Sequence, residues 1–354
     1  MSRIPHIEGV LSADEVLRTA QSIASLQLPN GMIPWFEDGH CDPWNHVESA
    51  MALDVAGLHV NAERAYEWLV AQQRPEGNWH NYYASDGSIE DTKLDTNVCA
   101  YIAAGVWHHW LSTWDRAFVD HLWPTVDRAL EWVLSMRRHD GTILWAAEPD
   151  NKPWDYALLT GCSSIMHSLR SGAKLAELIN EPRPHWTAAA DHLRNIIETR
   201  SDTAFEPKKR WAMDWYYPVL TGAFTGHQAK TRLGDGWDAF VMETQGVRCV
   251  SDEPWVTASE TAECSISYAA IGDLDTATDL LLWTRAHRCD DGAYTTGIVY
   301  PSLERFPAGE RSAYTAAAVI LAADAIAGAS PGSRLFVPSS QERLDRICDA
   351  TAGN

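Results

Sequence analysis

Two kinds of predicted helix alternate along the chain. Helices of one kind are amphipathic with charged residues on one face, which is typical of helices on a protein surface. Helices of the other kind are small and apolar nearly all round, which is typical of helices buried on both sides. The surface kind is predicted at residues 12–27, 62–73, 117–137, 186–200, 229–243 and 273–288, and the buried kind at residues 46–58, 95–110, 160–178, 214–225, 257–271 and 311–326.

A short turn recurs where several of the surface helices end. Gln or Arg closes the helix, and a glycine follows four residues later, directly after Asn, Glu or Asp. Glycine supplies the positive φ that a tight helix exit requires. The turn glycines are Gly31, Gly77, Gly141 and Gly292, at spacings of 46, 64 and 151 residues. The last interval has room for about three more units of roughly 50 residues.

This repeat predicts an all-α protein built from six helical hairpins. Long runs with the period-two alternation of a β-strand are absent. Six hairpins that close on themselves make an (α/α)6 barrel, in which inner helices surround a funnel and outer helices face water. An open helical solenoid is the alternative. We predict one domain over residues 1–330, followed by a C-terminal tail over residues 331–354.

The net charge of the 354-residue chain limits the molecules that it is expected to bind. It has 28 Lys and Arg residues against 48 Asp and Glu residues, which gives a net charge of −20 (28 − 48). Such an acidic excess repels phosphate backbones and anionic lipids, so nucleic acid is not an expected partner. We find no signal peptide and no apolar run of the roughly 20 residues that span a membrane. Seven scattered cysteines without a CxxC pair indicate reduced thiols and predict a cytoplasmic location.

Motifs for metals and nucleotide cofactors are missing from the sequence. Histidines such as His40, His46 and His108 occur without an HExxH motif or the Cys/His spacing of a zinc site. The GxGxxG and GxSxG motifs are absent as well. We therefore expect no metal and no cofactor.

Carboxylates recur at the predicted N-terminal ends of the buried helices. In an (α/α)6 barrel these ends converge on one mouth, where unpaired N–H groups and helix dipoles favour anions. Each acid taken alone is explained as a helix cap that contributes about 1 kcal/mol. Their recurrence beside apolar helix favours a general acid, because desolvation raises a carboxyl pKa and retains the proton near neutral pH. The acids are Glu48, Asp95, Asp214, Glu260, Glu263 and Glu310.

Aromatic residues are abundant, with 17 Trp, 11 Tyr and 7 Phe, and many fall near the same predicted helix ends. Aromatic faces stabilise carbocations and also stack on the apolar faces of sugar rings, so composition leaves both kinds of substrate open. Packing in the core is the alternative role of each ring. We predict that the substrate-binding rings are Trp35, Trp44, Trp79, Trp215, Tyr217, Trp255 and Tyr314.

Three segments carry motifs of a known family. Thr257-Ala-Ser-Glu-Thr-Ala262 begins a predicted helix, Gln73-Arg-Pro-Glu-Gly-Asn-Trp79 forms a turn, and His46-Val-Glu-Ser-Ala-Met-Ala-Leu53 begins another helix. In that order they resemble the Thr-x-Ser-Gln-Thr-Ala helix start, the QxxxGxW turn and the Asp-x-Asp-Asp-Thr-Ala proton donor of squalene-hopene cyclases. The wider family holds terpenoid cyclases and prenyltransferases. The resemblance implies an α-hairpin toroid that protonates an isoprenoid or an allylic alcohol.

The resemblance implies a terpenoid-cyclase-type enzyme in which Glu48 is the general acid and His46 orients it. Asp95 and Asp214 then act as base or as counter-charge to a cation, with Glu260 in reserve. The alternative is an (α/α)6 glycoside hydrolase acting on a carbohydrate, in which Asp214 with Glu260 or Glu48 flanks a glycosidic bond. A toroid that binds a ligand without catalysis is a third possibility.

Overall fold

A computed structural model describes residues 3–337 of the chain. This part contains thirteen α-helices and nine strands of two or three residues. The helices are α1 (Ala13–Leu26), α2 (Pro43–Val55), α3 (His59–Gln72), α4 (Thr96–Ala100), α5 (Ile102–Thr113), α6 (Arg116–Ser135), α7 (Leu159–Leu178), α8 (Pro184–Arg200), α9 (Ala212–Leu220), α10 (Gly226–Phe240), α11 (Ala258–Ile271), α12 (Leu274–Trp283) and α13 (Ala313–Ala327). The strands are β1 (Tyr82–Tyr83), β2 (Ile89–Asp91), β3 (Leu94–Asp95), β4 (Ala146–Ala147), β5 (Val241–Met242), β6 (Gly246–Arg248), β7 (Trp255–Thr257), β8 (Gly297–Val299) and β9 (Glu304–Arg305).

The helices form two concentric rings. The inner ring runs in the order α2, α4 with α5, α7, α9, α11 and α13, and each of these helices packs against the next. Helix α13 packs against α2, which closes the ring and excludes the open solenoid. The outer ring consists of α1, α3, α6, α8, α10 and α12. The predicted (α/α)6 barrel is therefore confirmed.

The burial of the two rings follows the hydrophobic pattern. Helix α13 buries 12 of its 15 residues, whereas α10, of the same length, buries Ala229, Leu233 and Phe240. A helix that is apolar on all sides must be covered on all sides, so it takes the inner position. A helix with one apolar stripe covers the inner ring and exposes its charged face to water.

The recurrent turn follows four of the six outer helices, α1, α3, α6 and α12, and its glycine lies directly on the next outer helix. A Cβ added to Gly31 would come within 2.1 Å of the carbonyl oxygen of Arg64, and one added to Gly77 within 2.4 Å of that of Arg128. The side-chain amide of Gln73 donates to the carbonyl oxygens of Gly77 and Thr125, both at 2.9 Å. These contacts fix the position of each hairpin against its neighbour.

The short strands lie in the loops at the N-terminal end of the inner ring. Strand β3 pairs with β4, and Leu94 lies opposite Ala147. This pairing joins the loop before α4 to the loop before α7. Strands β5 to β9 form an antiparallel sheet in chain order, in which Thr257 pairs with Gly297. The sequence pattern did not predict these strands because two or three residues are too short for a detectable alternation. They form the rim of the barrel mouth.

The C-terminal part of the described chain continues beyond the barrel. Residues Pro331–Leu335 form a 3-10 helix that packs against α5 and α13. The rest of the predicted tail, from residue 338, lies outside the described residues, so the division at residue 330 stays a prediction. None of the helices between residues 3 and 337 is long and apolar enough to cross a membrane. The six cysteines described are free thiols.

The close approach at Gly77 leads to a stability prediction with an internal control. Gly77 and Gly87 have similar positive φ values of 101° and 88°, but a Cβ on Gly87 would meet nothing within 4 Å. Gly87→Ala should cost about 1–2 kcal/mol, the penalty of left-handed backbone alone. Gly77→Ala should cost about 1–3 kcal/mol more, because the methyl group must push α6 away. Urea denaturation compares the two, and equal losses would refute the role of the turn contact.

Candidate active site

The inner helices bring aromatic rings together on the barrel axis. Trp44 in the first turn of α2 lies 5.9 Å from Tyr217 of α9 and 5.5 Å from Tyr101, measured between ring centroids. Helices α2 and α9 are opposite each other in the ring of six. Contact between them therefore requires both rings to point to the axis, where they form the floor of the funnel.

Glu48 of α2 lies at this floor. Its side chain is nearly buried, with 5% of the residue surface exposed, and its Oε1 accepts a 3.1 Å hydrogen bond from the Tyr101 hydroxyl. Burial raises the pKa of Glu48 to about 8, and the charge of Asp42 acts in the same direction against the Tyr101 hydrogen bond. Glu48 thus holds its proton at neutral pH, as the sequence analysis predicts for a general acid.

Glu263 of α11 is a second buried acid at the axis. Its Oε2 accepts a hydrogen bond from the Tyr216 hydroxyl of α9. Burial raises the pKa of Glu263, and the neighbouring charges of Glu48 and Glu260 raise it further. Since α2 and α11 are not adjacent in the ring, the interaction of Glu48 with Glu263 crosses the axis. We call these two residues the axial pair.

Glu260 lies one helical turn before Glu263, at the N-terminal end of α11, and is half-buried. Its Oε2 accepts hydrogen bonds from the hydroxyls of Thr257 and Ser259, the latter at 2.6 Å. Two hydroxyl donors thus hold one oxygen of Glu260, beside the positive end of the α11 dipole. The barrel mouth therefore holds buried acids and a more exposed one.

Asp42 is a site residue that the sequence analysis missed. It caps α2 by accepting from the backbone N–H groups of Trp44 and Asn45, and its Oδ2 accepts from the Trp35 indole at 2.6 Å. Burial raises the pKa of Asp42. An acid directly before Pro43 at the first helical position is a recognisable cap signature, and this signal could have identified it.

Asp95 and Asp214 are held by local hydrogen bonds. Asp95 caps α4 through the backbone N–H groups of Asn97 and Val98, and its Oδ2 lies 3.7 Å from the Lys93 ammonium. Asp214 accepts a 2.6 Å hydrogen bond from the Thr160 hydroxyl. Burial is the main cause of the raised pKa of both carboxyls. Asp214 lines a cleft of about 740 Å³ against α10, on the flank of the barrel.

His46 does not lie beside Glu48. Its Nδ1 accepts from the backbone N–H of Ile33 at 3.2 Å, and its Nε2 lies 2.8 Å from the carbonyl oxygen of Ala65 in α3. Both ring nitrogens are used on the outer side of α2, so none is available to orient Glu48. Burial lowers the pKa of His46 to about 4, which keeps the ring neutral.

The predicted aromatic residues separate into two groups. Trp79, 1% exposed, donates its indole N–H to the Leu69 carbonyl, and Trp215 donates to the Arg232 carbonyl beside α10. These two rings therefore pack against neighbouring helices, away from the funnel. The remaining predicted rings lie at the floor or the rim of the funnel, namely Trp35, Trp44, Tyr217, Trp255 and Tyr314.

The rim rings form two clusters. Trp35 contacts Tyr314 at 4.8 Å and Tyr82 at 5.7 Å between ring centroids, so rings from a loop, the first turn of α13 and strand β1 meet. In the second cluster the Lys93 ammonium lies 4.3 Å from the Trp145 ring, a cation–π contact. Trp145 also packs 5.0 Å from Trp154. Trp145 was not predicted to lie at the rim, because short loops between helices carry no periodic signal.

No group of three or more His, Cys, Asp or Glu side chains within residues 3–337 is arranged to hold a metal ion.

Comparison with known proteins identifies the family. No protein-family model matches the chain. Over 336 residues the chain is 45% identical to the MMP endo-(1,4)-3-O-methyl-alpha-D-mannosidase of Mycolicibacterium hassiacum, an alignment that covers 95% of this chain and 92% of that protein. The chain belongs to the family of that mannosidase. It is an enzyme of the glycoside hydrolase type.

Solved structures share the fold of this mannosidase family member. A wild-type glycosidase superposes with a TM-score of 0.72 at 13% identity, over 89% of this chain and 96% of that one. A D-mannose isomerase superposes with a TM-score of 0.63 at 12% identity, over 88% of this chain and 96% of that one. At such low identity these likenesses show the architecture alone.

The comparison corrects the functional hypothesis. The assignment to terpenoid cyclases and prenyltransferases is wrong, and so is the cyclase, isomerase or lyase activity on an isoprenoid. The motifs behind it lie in turns and helix starts, such as the Gln73 turn, which hold hairpins together whatever the chemistry. The alternative, a glycoside hydrolase, is the better-supported function. The cytoplasmic location stays a prediction.

The buried state of Glu48 leads to a prediction about stability and pH. Its pKa is about 8 in the folded protein against 4.5 in an ordinary Glu, so the folded state binds more protons between these pH values. Stability is therefore greatest below about pH 4.5 for this group and falls as pH rises to about 8. Glu48→Gln should reduce that fall by on the order of 1 kcal/mol or more.

Urea denaturation at pH 5 and pH 8 measures the effect. The control is Glu8→Gln, which replaces the same kind of carboxyl on a side chain that is 95% exposed and pairs with His6 at the surface, and it should leave the pH dependence nearly unchanged. The same pH dependence in Glu48→Gln and the wild type would contradict the assignment of a protonated Glu48.

Proposed function

We propose that the enzyme cleaves internal α-(1→4) bonds between 3-O-methylated mannose units. The observation that carries the proposal is the 45% identity, over nearly the full length of both chains, to a mannosidase of that specificity. The site supports it, because a buried acid and a second carboxylate near the barrel mouth are the groups that glycoside hydrolysis uses.

Glu48 acts as the general acid in this proposal. Its pKa of about 8 keeps the carboxyl protonated at neutral pH. The proton passes from Glu48 to the glycosidic oxygen while the bond from that oxygen to the anomeric carbon breaks. Glu48 then carries the negative charge, which the Tyr101 hydroxyl stabilises through its hydrogen bond.

Glu260 supplies the second carboxylate. The hydroxyls of Thr257 and Ser259 hold one of its oxygens, which orients the side chain at the mouth. It removes the proton from the attacking water in an inverting reaction, or attacks the anomeric carbon itself in a retaining one. Measurement of the first-formed anomer by NMR distinguishes the two routes.

Other residues bind or position in the same proposal. Trp35, Trp44 and Tyr314 offer ring faces to the apolar faces of the sugars. Asp42 positions Trp35 through the indole hydrogen bond. We assign no proton transfer to Asp95, which caps α4, or to Asp214, which lines the cleft against α10.

The activity test compares α-(1→4)-linked 3-O-methylmannose oligosaccharides with unmethylated mannose and glucose chains of the same length. The wild type should release fragments of intermediate size, identified by mass spectrometry. Glu48→Gln and Glu260→Gln should each reduce kcat by about 10²–10⁴-fold. Glu8→Gln, far from any substrate, should retain full activity. Release of single sugars from the chain end, or normal turnover by Glu48→Gln, would contradict the proposal.

The pH dependence of the reaction tests the role of Glu48 separately. Above about pH 8 the acid is deprotonated, so kcat/KM should fall there. The Tyr101 hydrogen bond lowers the pKa of Glu48. Tyr101→Phe removes this hydrogen bond and should move the fall to higher pH. A shift to lower pH, or no shift, would show that another group limits the reaction.

A further inference from the structure

Three apolar residues belong to neighbouring strands and turns of the five-stranded sheet at the edge of the funnel. Trp255 belongs to β7, Leu303 lies in the turn between β8 and β9, and Phe306 follows β9. Phe306 is 49% exposed and Leu303 is 64% exposed, while Trp255 is half-buried. The rings of Trp255 and Phe306 are 5.4 Å apart. We call these three residues the rim platform.

The local structure holds the rings of the rim platform in place. The Trp255 indole donates a 3.1 Å hydrogen bond to the carbonyl oxygen of Phe306. A Cβ added to Gly297 would come within 2.1 Å of the indole nitrogen, so the absence of a side chain lets the ring lie directly on β8. The backbone N–H of Phe306 donates to the Gly297 carbonyl at 3.0 Å. The indole ring of Trp255 is thus held in place on one side, and its other side is open to solvent.

The rim platform is continuous with the proposed active site. Successive side chains of a strand alternate between the two faces, so Trp255 and Thr257 of β7 lie on the same face, about 7 Å apart along the strand. The Thr257 hydroxyl donates to Glu260. A substrate bound between Glu48 and Glu260 therefore extends along this strand toward Trp255.

We propose that the rim platform is a sugar subsite that selects for the 3-O-methyl groups of the substrate. The inference rests on the proposed function. An enzyme that cleaves within a chain must bind sugar units beyond the cleaved bond. Methylation replaces a hydroxyl donor with an apolar group, which gains by contact with exposed aromatic surface. An unmethylated hydroxyl in the same place would lose hydrogen bonds to water.

Exposed apolar residues also occur singly on the outer helices, away from the funnel. Leu282 and Leu274 lie on the outer helix α12, and Val60 lies on the outer helix α3. Single apolar residues on an outer surface are common and carry no functional meaning. Leu282 therefore provides a control at a site remote from the funnel.

The experiment measures the ratio of kcat/KM for methylated and unmethylated mannose oligosaccharides of equal length. Trp255→Ala and Phe306→Ala should each reduce this ratio by about 10-fold, mainly through KM for the methylated substrate. Trp255→Phe retains an aromatic face and should retain most of the ratio. Leu282→Ala should match the wild type. Equilibrium binding of the methylated substrate to each variant in a Glu48→Gln background provides a second measurement without turnover.

The possible outcomes distinguish a failure of the rim-platform proposal from a failure of the proposed function. If the platform variants lose activity on both substrates equally, or keep the wild-type ratio, the rim platform does not recognise methyl groups. Should Trp255→Ala fail to fold, Phe306→Ala alone decides, because its exposed ring contributes little to the core. Failure of the wild type to cleave either substrate would instead overturn the proposed function, and with it the subsite.

Discussion

The close contact between the turn glycines and the next outer helix is the constraint on which the barrel depends. Gly31, Gly77 and Gly292 lie against helix backbone and Gly141 against the His192 side chain. The Gly292 contact is made with Arg18 of α1, so the last turn closes on the first hairpin. Each hairpin reverses the chain, so the inner helices run in the same direction, and closure of the ring brings their N-terminal ends together at one mouth. A carboxylate at the start of an inner helix is consequently brought toward the others. The active site follows from the closure of the ring rather than from any local motif.

Burying carboxyl groups close together at one mouth costs electrostatic free energy, and this cost raises the pKa of the buried ones. Three acids, Glu48, Glu260 and Glu263, lie near the axis of a protein whose net charge is already −20. Glu48 and Glu263 are deeply buried, where a carboxylate is poorly solvated, and burial raises the pKa of both. Tyrosine hydroxyls from α4–α5 and α9 satisfy their oxygens. Glu260 lies nearer to water and is held by hydroxyl donors. Helix α11 thus presents two acids in different surroundings.

The pattern of apolar and charged positions was sufficient to predict the twelve helical segments, the closed ring and the acids at its mouth. It was not sufficient to predict which way a side chain points. Helix α2 is buried on nearly every side, so periodicity does not distinguish Glu48, directed to the axis, from His46, directed to α3. For the same reason Trp79 was taken for a substrate-binding ring although it packs in the core. Asp42 was missed because it lies before α2, outside the apolar segment that predicted this helix.

The mistaken family assignment has a physical origin. Glutamine turns, small-residue helix starts and an acid at the first inner helix are properties of a closed α-hairpin toroid, which proteins of unrelated chemistry share. An aromatic floor with a buried acid suits a carbocation as well as an oxocarbenium-like sugar, since both develop positive charge beside a proton donor. What differs is the surrounding of the second acid. Two hydroxyls hold Glu260, and aromatic rings are exposed on the sheet beside it, where the proposed hydrolase binds sugar units beyond the cleaved bond. These groups lie on the rim, which is built from short loops whose pairing the sequence pattern does not reveal.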